Sequence, residues 1–221
     1  MIAWSFGIRR CDRGRRSIPC GVAIRVDRPY AVPMADGTRI ADFLFEAGLL
    51  ARTPRSGFAF LGSGAQSVAE HTHRTTIAAY VLAHRDGSVD TNRVLRMCLF
   101  HDLPEVRTSD HNYLSRQYNT THEQQAIADL TDQLSFGDEV KSLIEEFERG
   151  ESDEARIAKD ADQIELILSL KELLDNGNQR ARDWIEDALP RLKTDAAREL
   201  ARTILDTDSH HWYLRRTQTH P

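Results

Sequence analysis

The sequence predicts an all-α fold, a single domain of seven or eight helices behind a short basic extension, and three observations carry that expectation. Apolar residues recur at spacings of three and four through most of the chain after residue 34, the period that gives a helix one buried face. Capping residues stand ahead of several of these runs, with Gly or Asn behind them. No stretch alternates with a period of two over a useful length, beyond a weak one at 21–32.

The elements follow in order. Ile40, Phe43, Leu44, Ala47 and Leu50 mark a first helix over about 36–51. Thr53-Pro54-Arg55-Ser56-Gly57 stops it, and a Gly/Ser-rich loop through Gly62-Ser63-Gly64 follows. A second helix opens near Gln66 and runs to about His84, with Val68, His71, Thr75, Ala78, Ala79 and Leu82 on one face. Asp86-Gly87 closes it, and Asp90 or Thr91 caps a third through about Pro104, packed by Val94, Leu95, Met97, Cys98 and Phe100. Residues 106–119 read as an irregular loop. Further helices are expected at about 120–134, 138–149, 153–176, 179–192 and 194–207, with Asn176-Gly177 and Thr194-Asp195 as stop and start signals.

The 221 residues are 40 % hydrophobic and 29 % charged. That is enough chain to bury a core without disulfides, and the composition excludes a wholly disordered or collagen-like chain. Cys11, Cys20 and Cys98 form neither a CxxC pair nor an even framework, so a reducing, cytoplasmic compartment is expected. Arg9-Arg10 is followed by no apolar run of export length, and no run approaches the roughly 18 residues that cross a bilayer. Neither export nor a membrane partner is expected.

Charge is unevenly placed. Residues 1–33 hold seven arginines and two aspartates, a balance of +5, which leaves −10 on the rest against −5 for the whole chain. An acidic body repels a phosphate backbone, so no nucleic-acid polymer is expected as a partner. The stretch 1–33 is read as a loosely ordered extension, and the folded domain as 34–221.

Several polar residues stand where packing does not call for them. His71 lies on an apolar helix face, His101-Asp102 ends an apolar helix, and Asp162 sits among Ala158, Ala161 and Ile164. A buried carboxylate needs a partner or a metal; for Asp162 an ordinary pair with Arg156 or Lys159 is the competing explanation. Adjacent residues on a helix diverge by about 100°, yet His101 and Asp102 can grip one ion lying in the angle between them. With a further His and a further Asp they would make two imidazoles and two carboxylates, a set that suits Mn²⁺, Co²⁺, Fe²⁺ or Mg²⁺ with open positions. His210-His211-Trp212-Tyr213 lacks further ligands at suitable spacing and is read as packing or tail; Cys98 is read as inert core.

The segments Ser67-Val68-Ala69-Glu70-His71, Phe100-His101-Asp102-Leu103-Pro104-Glu105-Val106 and Lys159-Asp160-Ala161-Asp162-Gln163 resemble those of the HD-domain phosphohydrolases, and within them the small 5′-deoxynucleotidase group. The resemblance covers about residues 38–175. It implies an HD-domain helical bundle with His71, His101, Asp102 and Asp162 as metal ligands, Asp160 being the rival for the last place. It further implies that Glu105 activates the attacking water, that Asp110 serves the substrate side, and that Arg55 grips the phosphate with the paired donors of its guanidinium. A homodimer is implied as well. Departures from the family pattern are His73, Phe58 where a Trp is common, and the 106–119 loop with its His111 and Tyr113.

The resulting expectation is a metal-dependent phosphomonoesterase acting on (deoxy)ribonucleoside 5′-monophosphates. A nucleoside triphosphatase or phosphodiesterase of the same type, and a non-catalytic binding module, are the alternatives.

Overall fold

Helices begin where the capping side chains place them. The computed structural model describes residues 37–217, and the expectations for 1–33, including the weak β-period, lie outside them. In chain order the α-helices are α1 (Gly37–Ala47), α2 (Phe58–Leu61), α3 (Val68–Asp86), α4 (Thr91–Phe100), α5 (Glu105–Thr108), α6 (Ser115–Tyr118), α7 (Glu123–Thr131), α8 (Gly137–Arg149), α9 (Asp153–Asp175), α10 (Ala181–Ala188), α11 (Asp195–Asp206) and α12 (His211–Thr217). Tighter 3-10 turns at Gly48–Ala51 and Leu189–Arg191 extend α1 and α10. The fold is all-α, and the described residues contain no strand, only an isolated antiparallel bridge between Pro54 and Ser67.

Ser67 and Glu70 start α3 with a reciprocal capping box, Ser67 Oγ accepting from the Glu70 amide while the Glu70 carboxylate accepts from Ser67 N. Asp90, Ser152 and Thr194 cap α4, α9 and α11 singly, each side chain accepting from a backbone N–H in the first turn. Gly87 ends α3 at φ 74°, a left-handed conformation that favours glycine.

Helices α3 and α9 are the longest and lie against each other, with α4 and α11 packed alongside. Leu82, Met97, Leu143, Ile164 and Ile167 fill the space between them. A second apolar cluster joins Phe43, Leu50, Val68, Ile127 and Ile144. Helix α8 therefore serves both, through Leu143 on one side and Ile144 on the other.

Two departures from the sequence expectation shape the site. The helix expected to reach Pro104 stops at Phe100, because proline has no N–H to donate and its ring opposes the carbonyl a turn earlier. The chain continues in tight turns, Leu103 N donating to Phe100 O and Glu105 N to Asp102 O, before α5 begins. The supposed irregular loop holds the single-turn helices α5 and α6.

Candidate metal centre

Three helices bring the centre together: α3 carries His71, the end of α4 carries His101 and Asp102, and α9 carries Asp162. One ligand atom from each of His71, His101 and Asp162 lies within 4.8 Å of the others, the arrangement of a group that could hold a metal ion. Asp102 joins them. Its Oδ2 is 3.2 Å from His101 Nε2 and 3.5 Å from His71 Nε2, and Asp162 Oδ1 is 3.1 Å from His71 Nε2.

The orientation of the rings is set from behind. His101 Nδ1 donates to the Cys98 carbonyl at 2.8 Å, which leaves Nε2 as the inward atom. That atom is buried and makes no well-aligned hydrogen bond, although Asp102 Oδ2 stands 3.2 Å away. A buried imidazole nitrogen without a well-aligned partner is costly unless something such as a cation meets it. His71 Nδ1 lies 2.5 Å from Glu165 Oε2, so its Nε2 likewise points inward. Two inward nitrogens and two carboxylates fit a divalent ion.

Asp160 goes elsewhere. It is fully buried and accepts from Lys193 N at 2.6 Å, Thr194 N at 2.8 Å and Thr194 Oγ1 at 2.6 Å, which fixes the start of α11. Nor does Asp162 form the ordinary ion pair considered for it: Arg156 binds Asp153, and Lys159 lies over the Phe147 ring.

Around the centre, Arg55 Nη1 is 3.4 Å from Asp102 Oδ2. Its position follows from the hydrogen bond of Arg55 N to Gln66 O, which ties the 52–56 segment alongside the start of α3. Burial by itself would weaken the Arg55 cation, but Asp102, Asp162, Asp110 and Glu105 raise its pKa. Asp110 accepts from Ser56 N at 2.6 Å, and so braces the Arg55 loop. Just before it Ser109 has φ 62° and ψ 159°, a conformation that costs a non-glycine residue about 1–3 kcal/mol. Glu105 lines a cavity of about 290 Å³ with His101 and Asp102, and its Oε2 is buried without a partner.

A larger cavity of about 560 Å³ adjoins Arg55 and Asp110, with Phe58, Tyr113 and Trp184 among its walls. Phe58, one of the departures noted above, thus stands in a wall of this cavity. His111 and Arg116 line both cavities. His73 lies on a third cavity, while His211 is exposed on α12 and belongs to no metal-type group among the described residues. Cys98 is buried with its thiol pKa pushed up by burial, as an inert core position requires.

Electrostatics bind the centre together. Burial opposes the charge of Asp102, yet the adjacent His101, His71 and Arg55 hold its pKa at about 2. Burial likewise opposes charge on His71, but hydrogen bonds to Asp162 and Glu165 lift it to about 9 from an ordinary 6.5. Glu105 is pushed up to about 9 from 4.5, by burial and by the neighbouring Asp102 and Asp110. The folded metal-free protein therefore holds protons on His71 and Glu105 that the unfolded chain has released, so its stability falls as pH rises toward and through 9. The melting temperature of chelator-treated protein should drop between pH 6.5 and 9; a rise over that interval would contradict the assignment. Because metal ligands must be deprotonated, stabilisation by added metal should grow over the same interval.

A helical bundle with a two-histidine, two-carboxylate cluster at the junction of three helices defines a protein able to hold a metal ion beside a substrate-sized cavity. Comparison with known proteins gives the family: the model described as HD domain matches residues 47–204, and the chain belongs to the HD domain family. The 5′-deoxynucleotidase HDDC2 of Bos taurus is 31 % identical over 161 residues, covering 70 % of this chain and 78 % of that protein. The Mus musculus protein of the same name is 30 % identical over 152 residues, 66 % of this chain and 75 % of that one. A solved structure described as a "predicted metal-dependent phosphohydrolase" from Magnetospirillum magnetotacticum MS-1 superposes with a TM-score of 0.64 at 25 % identity, covering 86 % of this chain and 99 % of that one.

The residue that sequence reasoning missed is Glu165. A signal existed: it interrupts the apolar run Ile164–Leu168 three positions after Asp162, on the same helix face. No helix among the described residues is long and apolar enough to cross a membrane.

Proposed function

We propose that this chain is a metal-dependent phosphomonoesterase that hydrolyses (deoxy)ribonucleoside 5′-monophosphates to nucleoside and inorganic phosphate. The observation that carries the reading is the convergence of His71, His101, Asp102 and Asp162 beside Arg55, at the edge of a cavity of about 560 Å³ with aromatic walls. Relatives named 5′-deoxynucleotidase support the substrate class.

His71, His101, Asp102 and Asp162 would hold the divalent cation, with Mn²⁺, Co²⁺, Fe²⁺ and Mg²⁺ as candidates. When bound, such an ion polarises phosphate oxygen and lowers the pKa of water. Arg55 holds the phosphate oxygens and offsets charge that builds in the transition state. Glu105 takes the proton from the attacking water. Oxygen from that water bonds to phosphorus, the P–O5′ bond breaks, and the nucleoside O5′ leaves with the proton that Glu105 took from the water. Asp110 keeps the Arg55 loop against the site through Ser56 N. The aromatic walls, with Phe58, Tyr113 and Trp184, suit the flat face of a base. A cytoplasmic homodimer is part of the same reading, and sedimentation of the full chain tests the dimer.

The test is a release assay across deoxyribonucleoside and ribonucleoside monophosphates, nucleoside triphosphates and a phosphodiester, with Mn²⁺, Co²⁺ and Mg²⁺ in turn. The expected result is metal-dependent free phosphate from monophosphates and none after chelation. Turnover of triphosphates or the diester alone would overturn the substrate assignment.

A further inference from the structure

Resting on the reading of His71 as a metal ligand, we propose that Glu165 is the positioning residue of the centre, locked in place by Gln66, Arg74 and Ser169. It has no place in the ligand set, yet it is fully buried on α9 with both carboxylate oxygens engaged. One oxygen, Oε2, faces His71 Nδ1 at 2.5 Å. The other, Oε1, accepts from Gln66 Nε2 at 2.6 Å, Arg74 Nε at 3.0 Å and Ser169 Oγ at 3.0 Å. Arg74 is itself held by Glu172 Oε1 at 2.7 Å and by Ser169 Oγ.

A buried carboxylate with four close donors cannot turn, and that rigidity passes to the ring in front of it. By accepting the Nδ1 proton, Glu165 fixes the tautomer in which Nε2 carries the lone pair, and it fixes the plane along which that lone pair points. Such a partner behind a metal-binding imidazole also raises its strength as a donor. Gln66 ends the segment that carries Arg55, since its carbonyl accepts from Arg55 N. The same residue therefore ties the phosphate-side loop to the carboxylate behind His71. Gln66, Arg74, Ser169 and Glu172 also line a cavity of about 490 Å³ whose walls do not include Arg55.

The experiment measures Mn²⁺ dissociation constants, by competition with a chromophoric chelator, for the full-length wild type and for Glu165→Gln, Gln66→Ala and His71→Ala. Glu165→Gln should bind Mn²⁺ roughly 10–100-fold more weakly. Its turnover should fall at limiting Mn²⁺ and recover in part as Mn²⁺ is raised, whereas a purely structural lesion would lower turnover at every Mn²⁺ concentration. Gln66→Ala leaves the His71–Glu165 pair intact and should weaken Mn²⁺ binding by a smaller factor, so it keeps the test open if Glu165→Gln does not fold. Wild-type Mn²⁺ affinity in both variants, with affinity lost in His71→Ala, overturns the role of Glu165 alone. Wild-type affinity in His71→Ala as well overturns the metal reading beneath it.

Discussion

Asp162→Asn is expected to cost the protein its divalent cation and its turnover while the helical fold survives, and Asp160→Asn to keep both in a fold of lower stability. The two carboxylates stand two residues apart on α9 and so point to opposite sides of it. Asp162 faces His71 and is the more open of the pair, its side chain 24 % exposed. Asn keeps its shape but removes an anionic ligand, so the loss of metal affinity should exceed the roughly 10–100-fold typical of removing a group that merely supports a ligand. Asp160 is sealed beneath α11, accepting two backbone amides and a hydroxyl. An amide there can keep one oxygen acceptor but turns an NH₂ toward the remaining donors, which should destabilise by about 2–3 kcal/mol. Metal titration and thermal melting of both variants read the difference. If Asp160→Asn were the variant that lost the metal, the assignment of the fourth ligand would be wrong.

Glu105→Gln is expected to lower turnover by about 10²–10⁴-fold, the range for loss of a positioned general base, with little change in metal affinity. The carboxyl lies at the start of α5 beside Asp102, and one of its oxygens is buried without any protein partner. An acceptor left unpaired at the edge of a reaction cavity is placed to take a proton from water. Burial and the neighbouring Asp102 and Asp110 raise its pKa to about 9, and a cation in the centre would draw it back toward neutrality. Wild-type turnover should therefore climb with pH through the neutral range, and the variant's residual rate should not. The check is a pair of pH–rate profiles at saturating metal. A variant retaining most of the wild-type rate would remove Glu105 from the chemistry.

Much of this was legible in the chain. Spacing and capping residues placed α3, α4, α8, α9 and α11 to within a few residues, because these signals act within a single turn or two. The segments around His71, His101-Asp102 and Asp162 pointed to ligands, and the structure draws those four side chains together. The stop at Phe100 was also written in the sequence, as Pro104, but its effect on where Asp102 and Glu105 point was not.

What the sequence by itself determined is the set of helices and the residues on each that do not belong in a core. Only the tertiary structure decided how those residues are shared out. It sent Asp160 to the start of α11 and Asp162 to the centre, and it set Glu165 against His71, 94 positions away along the chain. The physical reason is one of range. Helical periodicity reports which face of its own helix a residue occupies, whereas the partner waiting at that face is chosen by the packing of α3, α9 and α11, whose contacts lie far apart in sequence.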